Sequence, residues 1–311
     1  QYAALSIGGD GLGLVGYYDA TNGDLKIAHC VNVSCSSATP ATIDSGGDVG
    51  QHVSAVTGAD GFALLAYQDI TNTDLKVAHC SNAGCSASTN AARDSTGSVG
   101  AFTSATLGST NLGAVAYYDA TVGALKLLRC GQTACTSASS VVADGEVVGQ
   151  FASATIGVDG LGIIAYHDAT HVDLRVAHCV DAPCATATVS VLESTGNVGS
   201  HASIIGGRQS AFPGNLAGPT IVFDDAGGTF LNHTLKVDLC ENNECAGLAF
   251  PAAPAGTARR GQYGSVAIGT DGLPLMTSYD SQTLDLTAYH CGDASCFAAS
   301  SVTLDSAGDV G

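Results

Sequence analysis

The chain has few of the residues that mark several large classes of protein. Its 311 residues include no Trp, one Met and 12% charged side chains, with 10 Lys plus Arg against 28 Asp plus Glu. The resulting formal charge of −18 argues against nucleic acid or an anionic lipid surface as a partner. No apolar run approaches the roughly 18 residues that a membrane-spanning helix needs. Nucleic acid and a membrane span are therefore excluded from the expected partners.

The sequence repeats a unit of about fifty residues six times, which indicates a solenoid, propeller or array. The copies span residues 1–50, 51–100, 101–149, 150–199, 200–261 and 262–311. Apolar segments within a copy are short, lack a 3.6-residue period and are separated by turn residues such as Asp60 and Gly61. Four antiparallel strands per copy are predicted. The chain therefore resembles a six-bladed β-propeller repeat protein, which implies one all-β domain over residues 1–311.

Each copy carries two cysteines separated by four residues. The pairs, which use all twelve cysteines, are Cys30 with Cys35, Cys80 with Cys85, Cys130 with Cys135, Cys179 with Cys184, Cys240 with Cys245, and Cys291 with Cys296. Because each pair flanks a four-residue turn, we predict one local disulfide hairpin per blade. Zinc is the alternative, but one pair supplies only two ligands. Six disulfides require an oxidising compartment, so the expected location is secreted, extracellular or at the cell surface, and the periplasm stays open.

An Asp recurs eleven residues before the first cysteine in five copies, at Asp19, Asp69, Asp119, Asp168 and Asp280. In a four-stranded meander this position lies at the turn between the second and third strands. Asp at a turn accepts hydrogen bonds from backbone N–H groups, and the repetition favours that structural role. A set of oxygen ligands for structural calcium is the alternative, and no other cofactor is expected.

The histidines fall into two groups. Four of them stand directly before the first cysteine of a copy, at His29, His79, His178 and His290. Because Leu239 fills that position in copy five, we interpret these histidines as packing between blades. The remaining ones, including His52 and His201, are expected at scattered positions.

Copy five departs from the repeat. It contains an insertion around residues 207–215, a longer turn before His233 and a stretch that ends in two arginines. Loops that break symmetry are where repeat proteins place function. The candidate ligand- or partner-binding residues are therefore Arg208, Asp224, Asp225, His233, Arg259 and Arg260. An arginine cluster on an acidic body suits a carboxylate, an acidic sugar or a neighbouring copy of the chain.

The regular blades and the few aromatic residues favour a non-enzymatic extracellular protein, structural or adhesive, with no catalytic residue. Head-to-tail contacts would allow self-association into a fibre or stack. Two alternatives stay open. One is a calcium-assisted, lectin-like propeller that binds a glycan, and the other is a glycan-active hydrolase or lyase. The second needs paired carboxylates, or a Tyr or His base with an Arg, and copy five alone comes near that.

Overall fold

The computed structural model describes residues 2–182, 184–206, 218–227, 233–245, 248–252, 260–293 and 296–310. These residues form strands and turns, and none of them belongs to a helix long and apolar enough to cross a membrane. The predicted fold class is confirmed: the protein is a six-bladed β-propeller with four antiparallel strands in each blade. The chain divides into two compact units, Gln1–Gly149 and Gln150–Gly311.

Unit 1 contains blades 1 to 3, and the strands of each sheet are hydrogen-bonded in chain order. Its strands are β1 (Ala3–Ile7), β2 (Gly13–Asp19), β3 (Asp24–Cys30), β4 (Ala38–Asp44), β5 (Val49–Thr57), β6 (Ala63–Asp69), β7 (Asp74–Cys80), β8 (Ser88–Asp94), β9 (Val99–Leu107), β10 (Gly113–Asp119), β11 (Ala124–Cys130) and β12 (Ala138–Asp144). The turns after the second strands and before the next blade therefore lie at the same end of each sheet.

Unit 2 contains blades 4 to 6 in the same arrangement. Its strands are β13 (Val148–Ile156), β14 (Gly162–Asp168), β15 (Asp173–Cys179), β16 (Ala187–Glu193), β17 (Val198–Ile205), β18 (Thr220–Asp225), β19 (Thr234–Cys240), β20 (Leu248–Ala252), β21 (Gln262–Ile268), β22 (Pro274–Asp280), β23 (Asp285–Cys291) and β24 (Ala299–Asp305).

The core of unit 1 lies between the faces of adjacent sheets. Side chains alternate along a strand, so β3 turns Leu25 and Ile27 to one face. Both are fully buried in a cluster that also contains Leu65 and Tyr67 of blade 2. Blade 1 therefore buries one face of its sheet against blade 2.

The prediction of one disulfide in each blade is confirmed for all six cysteine pairs. The bonds join Cys30 to Cys35, Cys80 to Cys85, Cys130 to Cys135, Cys179 to Cys184, Cys240 to Cys245, and Cys291 to Cys296. Their Cα–Cα distances of 4.6–4.9 Å fall in the range that a disulfide needs. Because each bond closes a loop of only about six residues, the chain-entropy model gives roughly 2 kcal/mol of stabilisation apiece.

The second cysteine of each pair closes the turn in a left-handed backbone conformation, with φ between 48° and 56°. These residues are Cys35, Cys85, Cys135, Cys184, Cys245 and Cys296. The N–H of each donates to the carbonyl three residues earlier at 2.8–3.2 Å, which closes a tight turn. The disulfide therefore holds the turn between the third and fourth strands in a conformation that residues other than glycine seldom adopt.

A buried carboxylate at the end of a fourth strand ties blade 1 to blade 2. The Tyr67 hydroxyl donates to Asp44 Oδ2 at 2.7 Å, and Lys76 Nζ lies 2.5 Å from the same oxygen. Asp94 repeats this arrangement with the Tyr and Lys of blade 3, at 2.6 Å each. Burial opposes ionisation of Asp44, but Lys76 and Tyr67 outweigh it and hold the pKa of Asp44 below its ordinary value. Asp44 with Lys76, and Asp94 with Lys126, are therefore largely buried ion pairs that join blade 1 to blade 2 and blade 2 to blade 3.

We expect Asp44→Asn to lower the free energy of unfolding by about 2 kcal/mol, because it removes the nearer of the two carboxylates that compensate the largely buried Lys76 ammonium. Asp305 is the matched control, since it caps an equivalent turn through the N–H of Ala307 but is exposed. Asp305→Asn should cost less than about 0.5 kcal/mol. Urea denaturation of both variants measures the difference, and equal losses would contradict the role of Asp44.

Candidate functional site

One position carries an aromatic or imidazole ring in all six blades, within the first strand of blades 2 to 6 and directly before that of blade 1. These residues are Tyr2, His52, Phe102, Phe151, His201 and Tyr263, and their φ angles lie between 48° and 54°. Residues other than glycine seldom adopt this left-handed backbone conformation, and strained positions of this kind cluster at functional sites. Because the same unfavourable backbone conformation recurs in every blade, the ring at this position is a candidate functional feature.

In blades 2, 3, 5 and 6 a β-bulge accompanies this conformation. In blade 2, Gln51 pairs with Gln68 while Ser54 pairs with Ala66, so two residues of β5 oppose one residue of β6. Gly50 precedes the bulge with a φ of 106°, and a Cβ there would lie 2.9 Å from the Cα of Leu25. Glycine is thus required at this point of the strand.

The expectation that His52 and His201 occupy scattered positions is wrong, because both lie at the bulge position of their blades. A signal for this was present in the sequence. Each of the two histidines stands two residues after a glycine, as do Phe102, Phe151 and Tyr263.

The six rings at this position, called the bulge rings, form one row in each unit. In the first aromatic row, the ring of His52 lies 4.6 Å from that of Tyr2 and 4.7 Å from that of Phe102. In the second aromatic row, the ring of His201 lies 4.6 Å from that of Phe151 and 4.4 Å from that of Tyr263.

The histidines of both rows are uncharged at neutral pH. Burial lowers the pKa of His52 to about 4 and that of His201 to about 4, because a desolvated imidazolium is unfavourable. Each row is therefore a neutral surface of contiguous rings at pH 7.

The next-to-last residue of each second strand accompanies these rows; it is Tyr in three blades and a different residue in each of the other three. These residues are Tyr18, Gln68, Tyr118, His167, Asp224 and Tyr279. In four blades the ring at this position lies 6.3 Å from the bulge ring of the same blade. A residue that only stabilised a turn would be the same in every blade. The variation at this position instead provides the asymmetry that a specific site requires.

In blade 5 this position holds a carboxylate paired with a histidine. Nδ1 of His233 lies 2.5 Å from Asp224 Oδ2, and the Ser200 hydroxyl donates to the same oxygen at 3.3 Å. Nε2 of His233 lies 3.2 Å from the Gln262 amide nitrogen. Ser200 and Gln262 directly precede His201 and Tyr263, so the pair lies beside the second aromatic row.

Asp224 and His233 differ in burial. The Asp224 side chain is 1% exposed and that of His233 is 16% exposed. Burial raises the pKa of Asp224, although the hydrogen bond from His233 offsets part of that effect. Oδ1 of Asp224 has no hydrogen-bond partner among the described residues. The carboxylate is therefore placed to orient the imidazole, and the imidazole is the member that a ligand can reach.

The other residues that the sequence singles out in copy five separate into two groups. The N–H of Arg260 donates to the His233 carbonyl at 2.9 Å, and its guanidinium lies 2.6 Å from Asp280. Asp225 lies 2.9 Å from Lys236 Nζ. Arg208 and Arg259 lie outside the described residues.

The five recurring aspartates each close a turn. Their Oδ1 atoms accept N–H groups two or three residues further on, as Asp69 does from Asn72 at 3.0 Å and Asp168 from Thr170 at 2.8 Å. Their Oδ2 atoms lie next to a Lys or Arg, for example 2.5 Å between Asp19 and Lys26. Asp119 and Asp280 follow the same pattern. Calcium at these positions stays a prediction.

The histidines that precede cysteines bind an aspartate at the opposite end of the sheet. His29 lies 2.9 Å from Asp10, and His178 lies 2.8 Å from Asp159. The same pair joins His79 to Asp60 and His290 to Asp271 at 2.9 Å. The interpretation as simple packing residues missed the spacing of 19 residues that all four pairs share.

Neither a protein-family profile nor a curated protein sequence matches the chain. Solved structures do share its fold. They include the dihydro-heme d1 dehydrogenase NirN, with a TM-score of 0.58 and 14% identity over 97% of this chain and 57% of that one. The NanB sialidase of Streptococcus pneumoniae matches with a TM-score of 0.58 and 10% identity over 91% of this chain and 65% of the sialidase.

A third similar structure is the GH93 α-L-arabinofuranosidase of Fusarium graminearum, with a TM-score of 0.55 and 12% identity over 89% of this chain and 87% of the enzyme. These comparisons contradict the prediction of a non-enzymatic structural or adhesive protein, because the three similar propellers named here are enzymes and two of them are glycosidases. The predicted structural or adhesive role is therefore wrong, whereas self-association into a fibre or stack stays a prediction. At such low identities the likeness itself shows the fold.

A second buried carboxylate distinguishes blade 5. Asp238 is 1% exposed, and neither of its carboxylate oxygens has a hydrogen-bond partner among the described residues. Burial raises the pKa of Asp238 to about 7, and the nearby Glu193 adds to the rise. The equivalent residues of the other blades are Ala28, Ala78, Leu128, Ala177 and Tyr289. An ionisable group thus replaces an apolar or weakly polar one at this position.

We expect Asp238→Ala to stabilise the protein at pH 8. A carboxyl whose folded pKa is about 7 is protonated in the folded state and ionised in the unfolded state between about pH 4 and pH 7, so stability falls as pH rises through that window. Removing it should recover about 2–4 kcal/mol at pH 8 and little at pH 4. Thermal melts across this range measure the effect.

The converse variant, Ala177→Asp, introduces the same carboxyl into blade 4. It should add a loss of stability between pH 4 and pH 8. A pH dependence that neither variant changes would contradict the assignment.

Proposed function

We propose that this protein is a glycan-acting hydrolase whose acid–base pair is Asp224 and His233. The observation that carries the proposal is the buried Asp224 carboxylate holding a partly exposed imidazole at 2.5 Å, beside the second aromatic row. The fold of sialidases and an arabinofuranosidase supports this class of reaction. The six disulfides support a secreted or cell-surface location.

The hydrogen bonds around His233 assign its two ring nitrogens. Because Asp224 Oδ2 accepts a hydrogen bond, Nδ1 carries the proton and Nε2 is left as the basic atom. Asp224 stabilises the imidazolium that forms when Nε2 takes a proton. The Gln262 amide nitrogen, 3.2 Å from Nε2, donates an N–H to that atom, which keeps Nε2 an acceptor and fixes the plane of the ring. A substrate oxygen or water that contacts Nε2 displaces this amide. His233 can therefore exchange a proton with a glycosidic oxygen or an attacking water.

The second aromatic row provides the surface on which a sugar would lie. The faces of Phe151, His201 and Tyr263 are apolar, and the C–H faces of a pyranose or furanose pack on such rings. The residues before His201 and Tyr263 contact the acid–base pair, so a sugar on the row would lie next to Nε2 of His233. Positioning of this kind is a major part of enzymatic rate enhancement.

Activity is tested by incubating the purified protein with a panel of glycosides and polysaccharides and measuring released reducing ends. For the best substrate, His233→Gln should lower kcat/KM by about 100-fold or more, since general acid–base catalysis contributes about 10²–10⁴. Asp224→Asn should lower it by at least about 10-fold, because the amide can no longer accept the imidazole N–H as an anion.

The matched control is His171→Gln in blade 4, where Nδ1 of the histidine lies 2.8 Å from Asp168. This residue belongs to the equivalent turn but has an exposed side chain, and its loss should leave kcat/KM within about 2-fold. Thermal melts verify that each variant is folded. A protein that cleaves no glycan, or a His233→Gln variant with full activity, would overturn the proposal.

A further inference from the structure

We infer that the second aromatic row binds uncharged sugars and excludes sugars that carry a carboxylate, such as sialic and uronic acids. This inference rests on the proposed glycan-hydrolase function and specifies its substrate class. It concerns the residues of unit 2 that surround the acid–base pair.

The polar groups along the second row are neutral. His167 donates from Nδ1 to the Val198 carbonyl at 2.8 Å, which leaves its Nε2 as an acceptor. Tyr279 donates its hydroxyl proton to Asp309 at 2.8 Å, so its oxygen also presents lone pairs. Gln262 supplies an amide beside His233. An imidazole, a phenol and an amide match the hydroxyl groups of a neutral sugar.

The described cations of unit 2 are already paired with carboxylates. Arg175 lies 2.6 Å from Asp168, and Lys236 lies 2.9 Å from Asp225. Arg260 lies 2.6 Å from Asp280. A sugar carboxylate is recognised best by an arginine that offers two parallel N–H groups. Recruiting Arg175 or Arg260 for that purpose would leave a buried aspartate without its partner, which is costly.

The charge around the row also opposes an anionic ligand. Asp224 and Asp309 contact the residues that line it, and the chain carries a formal charge of −18. A sugar carboxylate approaching this surface is repelled over about one Debye length, roughly 8–10 Å at physiological salt. The aromatic rings, the neutral polar groups and the negative charge around the row therefore all favour an uncharged sugar.

The test compares a galactose trisaccharide with a galacturonic acid trisaccharide, which differ at C6 of each sugar. Binding to the full chain is measured by isothermal titration calorimetry at physiological salt. We expect the neutral trisaccharide to bind at least about 10-fold more tightly, which corresponds to about 1.4 kcal/mol. A second matched pair, lactose and 3′-sialyllactose, should show the same order.

Three variants connect the selectivity to the row. His201→Phe keeps a neutral ring and should retain affinity within about 2-fold, whereas Tyr263→Ala should weaken binding of the neutral sugar about 5-fold or more. His201→Arg introduces a cation and should increase the affinity for the galacturonic acid trisaccharide. The control is Phe62→Ala, which removes a ring that lies beside His79 in unit 1.

The double variant Arg208→Ala/Arg259→Ala tests the two arginines outside the described residues. Selectivity that is unchanged in this variant supports the inference, and binding of acidic sugars that depends on these arginines overturns it. Cleavage of an acidic glycan would overturn the inference while supporting the hydrolase. Preferential binding of neutral sugars without any cleavage would support the inference and count against the hydrolase. No binding of either member of both pairs would overturn the inference.

Discussion

The desolvated carboxylate at the junction of two blades is the interaction on which the rest of the structure depends. Asp44 is buried against a tyrosine and a lysine of the following blade, and Asp94 repeats the contact. Separating a buried charge of this kind from a partner is costly, so the contact fixes how blade 1 faces blade 2 and how blade 2 faces blade 3. The tyrosine lies two residues before the end of the second strand. The junction therefore also fixes the strand end that accompanies the bulge ring.

Blade 5 lacks this buried Asp–Tyr–Lys contact, and the unusual ionisable residues of the protein are concentrated in that blade. Glu193 and Phe223 stand where the junctions of unit 1 have an Asp and a Tyr, and Lys236 lies 3.8 Å from Glu193. Asp238 is buried without a partner among the described residues, and Asp224 takes the place of a ring or an amide. Natural proteins break local rules at functional sites and compensate elsewhere. The three regular features that remain, the disulfide, the bulge and the meander, hold this blade in register.

Much of the fold was predictable because repetition averages out local ambiguity. Short apolar segments between turns indicated strands, and one cysteine pair per copy predicted each disulfide. The site was less accessible. Asp224 and His233 were singled out because copy five departs from the repeat, but nothing in their separation of nine residues predicts a hydrogen bond of 2.5 Å. The bulge rings were missed because they change identity among Tyr, His and Phe, so only their shared distance from a glycine marks them.

The sequence by itself determined the six-fold repeat, the strand order and the disulfides, since these depend on contacts between residues close together in the chain. The tertiary structure alone decided which side chains lie together. A left-handed bulge turns the ring of His201 beside that of Tyr263, 62 residues further along, and packing of blade against blade buries it so that its imidazole is neutral. Burial and long-range contact set the charge state of a side chain, and neither can be determined from a local pattern of residues.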